Sequence, residues 1–206
     1  MEICLTLDVS QEGARARLHK LQTRLSEACH PVFVSSGTSQ NLFIEIRRYL
    51  SRTSDQRLLT DSLHDIRRKL VISNPDPSIP GSTHSIGIDG PRNFRRDPAL
   101  PHFARYSDKA RIDFQISTRE HDGSVEILAY AFELILPAGA PLQFVRFDLN
   151  HDKHPNATLG LRSHVHLTAD DDGYSVPSAM LSPFEVLDVF LHRIRSSGRV
   201  RSASSS

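Results

Sequence analysis

Four histidines fall within sixteen residues: His151, His154, His164 and His166. They lie in the stretches Arg146-Phe147-Asp148-Leu149-Asn150-His151-Asp152-Lys153-His154 and Arg162-Ser163-His164-Val165-His166-Leu167-Thr168. Imidazole is the side chain that exchanges protons or binds metals near neutral pH. His164 and His166 are two apart in a segment that reads as a strand. Successive strand side chains alternate between faces, so both rings project from one side of the sheet. The same parity places Arg162 and Thr168 with them, Arg146, Asp148 and Asn150 together on the preceding strand, and Asp113 and Gln115 on an earlier one. The polar side of the expected sheet gathers Asp113, Arg146, Asp148, His164 and His166, with His151 and His154 at a strand end.

Three chemistries fit that set. The first is metal-independent phosphodiester cleavage. One of His164 and His166 takes the 2′-hydroxyl proton and the other protonates the leaving oxygen; Arg146 steadies the charged phosphate and Asp148 orients an imidazole. Arg162, His151, His154, Arg95 and Arg96 are then the substrate-binding candidates, RNA the partner, and no cofactor is required. The second is a divalent metal held by His164, His166 and Asp148. The third is no chemistry, since an exposed sheet face is polar in any case.

Other motifs fail on their surroundings. Gly160 followed by His164 and His166 matches a first cupin motif, but only a helix follows, not a second histidine-bearing strand. His166-Leu167-Thr168 fits one HxT element of the two-histidine phosphoesterases without its second copy. Arg96 and His102 fit the spacing of a helical HEPN-type ribonuclease, but Pro98 and Pro101 interrupt the helix it needs. Asp113 and Glu126 are not followed by an ExK motif, and there is no glycine-rich phosphate loop.

The elements that must position these residues follow from periodicity. Leu18, Leu21 and Leu25 predict a helix over 10–29, with Ser10 as N-cap and Pro31 beyond its end. Leu42, Phe43, Ile46 and Leu50 predict a helix over 39–51, with a strand as the alternative. Leu59, Leu63, Ile66 and Leu70 form the stripe of a helix over 55–71, with Asp61, Asp65, Arg67 and Arg68 on its outer face. Residues 73–108 hold six prolines and three glycines and predict a long loop. Its Arg92, Arg95, Arg96 and Arg105 beside Phe94, Phe103 and Tyr106 suit either a nucleic-acid strand or a solvated linker. Residues 110–169 predict an antiparallel meander of four strands, with His121-Asp122-Gly123 as the first turn. Val125 to Leu136 is apolar on both faces, as in a central strand, and Asp170 to Gly173 should end the sheet. Ser182 and Pro183 open a final helix at N-cap and N1, with Phe184, Leu187, Phe190, Leu191 and Ile194 as its buried stripe.

Bulk composition sets the frame. The 206 residues carry 25 Lys+Arg against 24 Asp+Glu, for a net charge of +1, so nothing demands a polyanionic partner. Only Cys4 and Cys29 are present, without a CxxC pair, which argues against a cysteine zinc site. The N-terminus lacks the pattern of a signal peptide and no window reaches the length of a membrane span, so the expectation is a cytoplasmic protein without a membrane partner.

Residues 124–194 resemble the TumE-like toxins of bacterial toxin–antitoxin systems. The resemblance lies in the order of elements: two strands, Arg146-Phe147-Asp148, His154-Pro155, His164-Val165-His166 and a closing helix. It implies interference with a nucleic-acid or translation target, RNA cleavage included; an antitoxin is the protein partner expected of a toxin, and a larger effector that of an accessory module. The expected fold is α+β: a helical segment over 1–72, a basic Pro/Gly-rich loop over 73–108, then a four-stranded antiparallel sheet with a C-terminal helix over 109–195, and a disordered tail over 196–206. The expected function is that of an RNA-directed phosphodiesterase of a toxin or defence system. The alternatives are a non-catalytic nucleic-acid- or protein-binding accessory module and a metal-dependent enzyme using the HxH pair.

Overall fold

A long hairpin forms the spine of the sheet. Strands β5 (Arg111–His121) and β6 (Ser124–Ile135) pair antiparallel along their whole length. Asp122 and Gly123 link them with φ of 48° and 72°, the paired positive φ values that a two-residue hairpin turn requires. The computed structural model describes residues 34–90, 97–168 and 175–194. The expected helix over 10–29, Arg92, Phe94, Arg95, Arg96, Cys4, Cys29 and the tail over 196–206 lie outside the described residues.

Around the hairpin the sheet grows to nine strands among the described residues. Its main path is β2 (Leu70–Ser73), β3 (His84–Ile88), β5, β6, β7 (Phe144–Leu149), β8 (Ser163–His166) and β9 (Ser175–Pro177). The short β1 (Val34–Ser36) pairs with β6, and β4 (Phe103–Ala104) with β5. All pairings are antiparallel.

The α+β class holds, but the four-stranded meander is corrected to this wider sheet. Its four strands are present as β5 to β8. The additional ones come from segments whose composition masked them. β3 and β4 lie inside the Pro/Gly-rich stretch, because its prolines flank the strands without interrupting them. β9 follows Asp170 to Gly173, where the sheet was expected to end. The sheet therefore runs across the expected boundaries near 72 and 108.

Gly87 shows why a residue read as a breaker sits in a strand. A Cβ there would lie 2.6 Å from the Phe114 carbonyl oxygen, so only glycine permits this approach of β3 to β5.

Helix α1 (Ser39–Asp55) settles the helix–strand ambiguity of its segment. Thr38 caps it by accepting from the Asn41 amide, and Leu42, Phe43, Ile46 and Leu50 are buried along one stripe. The expected helix over 55–71 is shorter. Helix α2 spans Leu63–Lys69, with Ser62 and Asp65 forming a capping box. The stripe continues past it as β2, whose Leu70 is buried. Asp61, expected outside, is buried. It accepts from the Lys69 Nζ at 2.5 Å and from the Ala104 amide at 2.8 Å, fastening β4 to α2.

At the C-terminal end, Ser182 and Glu185 cap helix α4 (Pro183–Asp188), which continues as a π-helical turn over Val189–Arg193. Arg105, expected in a basic loop, is buried. It forks onto Asp108 and donates through Nη1 to the carbonyls of Phe190 and Ile194, which satisfies two of the orphan acceptors at that helix end.

α1 and the α4 region cover the apolar face of the sheet. Phe103, Phe114 and Phe132 stack across β4, β5 and β6, with centroids 6.3 and 5.0 Å apart, and Tyr130 meets Phe132 edge-on. A bulge at Leu128 resets the pattern of β6: Ser117 pairs with Ala129, but Thr118 pairs with Ile127. Before it the core residues are Val125 and Ile127; after it they are Tyr130, Phe132 and Leu134. The apolar run of β6 is thus a change of phase rather than two apolar faces.

Gly87→Ala should destabilise the fold by about 1–3 kcal/mol, the range for forcing a methyl group into close packing. Urea unfolding of the purified protein measures this; an unchanged midpoint would show that β3 can move away from β5.

Candidate functional site

Register decides which side chains meet on the polar face. β7 and β8 pair Arg146 with His166 and Asp148 with His164. β6 and β7 pair Glu133 with Arg146 and Ala131 with Asp148, and β5 adds Asp113 opposite Glu133 and Gln115 opposite Ala131. Two rows therefore cross the sheet. One reads Asp113, Glu133, Arg146, His166; the other reads Gln115, Ala131, Asp148, His164. The expected parity of Asp113, Arg146, Asp148, His164 and His166 is present in the structure.

The distances show convergence on one atom. Asp148 Oδ2 lies 2.9 Å from Arg146 Nε, 3.3 Å from His166 Nε2 and 3.6 Å from His164 Nε2. The two rings are 4.7 Å apart, edge to face. Arg146 also places Nη2 3.1 Å from His166 Nε2 and Nη1 3.8 Å from Glu133 Oε1. Asp148, His164 and His166 form a three-ligand group with one donor atom each, all within 4.8 Å of one another.

The cluster is buried, unlike the exposed sheet face of the no-chemistry alternative. His164 is 2 %, His166 7 % and Asp148 9 % exposed. Asp148 Oδ1 and His166 Nδ1 are buried without a hydrogen-bond partner, and orphaned buried polar atoms are costly. Tautomer choice cannot satisfy His166. If Nε2 accepts from Arg146, the ring proton sits on the orphaned Nδ1. If Nε2 carries the proton, it donates toward Asp148 Oδ2 at 3.3 Å, and Nδ1 is left as a buried acceptor without a donor.

Charge follows from these contacts. Burial raises the Asp148 carboxyl, but the hydrogen bond from His166 and the charges of Arg146 and the two imidazoles more than offset it and hold the group below its ordinary value. Burial pushes His164 below the ordinary imidazole range; Asp148 opposes this and His166 adds to it. An ionised carboxylate beside a neutral imidazole is the donor state that metals require.

The other candidates lie apart from this centre. His151 and His154 stack edge-on at 5.6 Å within the β7–β8 connection. His154 caps the short helix α3 (Pro155–Thr158) by accepting from the Asn156 amide. Burial, then the neighbouring His154, lowers His151. Arg162 donates to the Asn150 carbonyl, and the Asn150 amide donates back to the Arg162 carbonyl, so this pair closes the base of the connection. Arg95 and Arg96 fall outside the described residues. Of the basic, aromatic loop, Phe103 and Arg105 are built into the core region and Tyr106 is exposed.

A groove on the polar face reaches the cluster from the Asp148 side. Gln115, Ala129, Ala131 and Asn150 line it there, under Asp76 and Ile79 of the β2–β3 connection. Gln115 and Ala131 are shared with an adjoining pocket bounded by Asp89, Asp113 and Glu133. Neither lining includes a lysine or arginine. The groove was not foreseen. Its signal was the small residues Ala129 and Ala131, which leave the sheet floor open between longer neighbours.

No protein-family model, no curated protein and no solved structure matches the chain. Among the described residues, no helix is long and apolar enough to cross a membrane.

Because His164 and Asp148 are both held below their ordinary values, both stabilise above the unfolded-state values and lose that contribution as pH falls, His164 below about 6.5 and Asp148 below about 3.9. Chelator-treated protein should lose thermal stability between about pH 7.5 and about pH 5.5, and His164→Gln should flatten that slope. Equal slopes in the two proteins would remove the His164 contribution.

Proposed function

We propose that Asp148, His164 and His166 hold a divalent transition-metal ion and that the protein is a metal-dependent phosphodiesterase acting on RNA, in a toxin or defence role. One observation carries the metal assignment: three donor atoms at buried positions lie within 4.8 Å of one another. Ligand bonds of about 2.0–2.2 Å in tetrahedral array put neighbouring donors about 3.3–3.6 Å apart. The Oδ2 to Nε2 separations of 3.3 and 3.6 Å fall in that interval. A borderline ion with imidazole and carboxylate ligands, such as zinc, suits the set.

The same convergence argues against the two histidines acting as an acid–base pair. In-line displacement places the attacking and leaving oxygens on opposite sides of phosphorus, whereas both Nε2 atoms here aim at one carboxylate oxygen. Asp148, His164 and His166 would instead hold the ion, which would supply the Lewis acid and the nucleophilic water for hydrolysis of the phosphodiester. The groove's carboxylates alone repel a phosphate, and a resident cation reverses that local sign. RNA cleavage is therefore expected to be strictly metal-dependent. The ion and the Arg146 guanidinium cannot both face His166 Nε2, and Glu133 offers Arg146 its alternative partner. The resemblance of residues 124–194 to TumE-like toxins supports RNA as substrate and an antitoxin as protein partner.

A second reading has its own observation. Arg146 already neutralises Asp148 and covers His166, as it would in a purely structural ion network joining β7 to β8. Elemental analysis and calorimetric titration with zinc and manganese separate the two. The metal reading expects about one ion per chain, an affinity lowered at least about 100-fold by Asp148→Asn, and RNA cleavage abolished by chelator and restored by metal. No bound ion at any stage of purification or titration, with RNA left intact, would leave the structural network standing.

A further inference from the structure

A second charged feature lies away from the groove. A surface cleft between α1 and α2 is lined by Arg47, Arg48, Ser51, Arg52, Asp55 and Arg67. Four guanidinium groups meet one carboxylate in a protein whose net charge is only +1. Among the described residues, Arg48, Arg52 and Arg67 take part in no ion pair, and all three are exposed. Arg47 lies over the Phe43 ring at 5.3 Å, which holds its side chain along the helix.

Helix stability does not account for this arrangement. Arg52 and Arg67 sit in last turns, where a cation offsets the dipole. Arg47 and Arg48 add charge beyond that need, and Arg48 and Arg52 stand one turn apart, a spacing at which like charges destabilise a helix. A concave surface that concentrates uncompensated guanidinium groups recognises phosphate, because the planar fork donates two parallel hydrogen bonds to its oxygens. Several such groups along two helices suit a repeating anion better than a single one.

We propose that the α1–α2 cleft binds the phosphodiester backbone of an RNA strand without reading its bases. α1 packs through its apolar stripe on the apolar face of the sheet, whereas Asp148, His164 and His166 lie on the polar face. The cleft is thus a separate anchor for the polymer, not a wall of the metal pocket. The choice of RNA rests on the function proposed above; the binding itself does not need catalysis.

The test uses full-length Asp148→Asn protein in chelator, so that no cleavage intervenes, and fluorescence anisotropy with a labelled oligouridine of about 20 nucleotides over a series of salt concentrations. R52Q/R67Q takes one arginine from each helix. It should weaken binding at least about tenfold at low salt and reduce the slope of log affinity against log salt by about 1.4. K109Q/K153Q removes the same charge elsewhere and should change the affinity by less than about twofold. Equal losses in the two double variants, absence of RNA binding by the parent, or binding to phosphatidylserine vesicles but not RNA would each overturn the proposal. If cleft-dependent binding is found but the unsubstituted protein supplied with zinc or manganese never cleaves RNA, the anchor stands and the phosphodiesterase reading falls.

Discussion

Strand phase is the constraint on which the rest of this structure depends. Side chains alternate with a period of two, so one residue of slip exchanges the core face for the polar face. The bulge at Leu128 makes that exchange once, within β6. It aligns Ala129, Ala131 and Glu133 with Asp148 and Arg146 while keeping Tyr130, Phe132 and Leu134 in the core. The aromatic stack and the polar rows are therefore two sides of one registration. Neither could move without the other, because the hairpin fixes β6 against β5 and β7 takes its register from β6.

That registration concentrates opposite kinds of charge on opposite sides. The polar face carries a carboxylate-lined groove that reaches Asp148, behind which the two imidazoles are buried. The helical side carries unpaired guanidinium groups. A chain with nearly balanced total charge hides this separation, since net charge sums over both faces. Burial sharpens the electrostatics at the imidazole end, where few waters can screen Arg146, Asp148 and the two rings. Solvent moderates them in the arginine cleft, which is why its proposed binding is expected to depend on salt.

Much of the site was legible because parity is local. The spacing of Arg146 to Asp148 and of His164 to His166 placed each pair on one face, and the meander placed the strands side by side. Burial was not legible, because it depends on β9 and on the β2–β3 connection, which come from segments rich in proline, glycine and aspartate. Composition scored those segments as loops, although Gly87 is there to let two strands approach and the prolines lie at strand margins. Arg105 and Asp61 were assigned to the surface by residue type. Each is buried because it has a fully formed set of partners, which a sequence does not display. The arginines of α1 were visible at helical spacing, but the cleft exists only once α2 brings Arg67 beside them.

The shortness of β9 has a consequence for how this protein behaves in a crowd. Were β8 the outermost strand, its open backbone groups would invite another chain to add on, and the histidines would lie at that seam. β9 covers them with three residues and then stops. Pro177, opposite His164, has no amide hydrogen to offer a newcomer. The sheet margin beside the imidazoles is thus a poor template for intermolecular stacking. Growth of the kind that feeds amyloid would have to begin elsewhere.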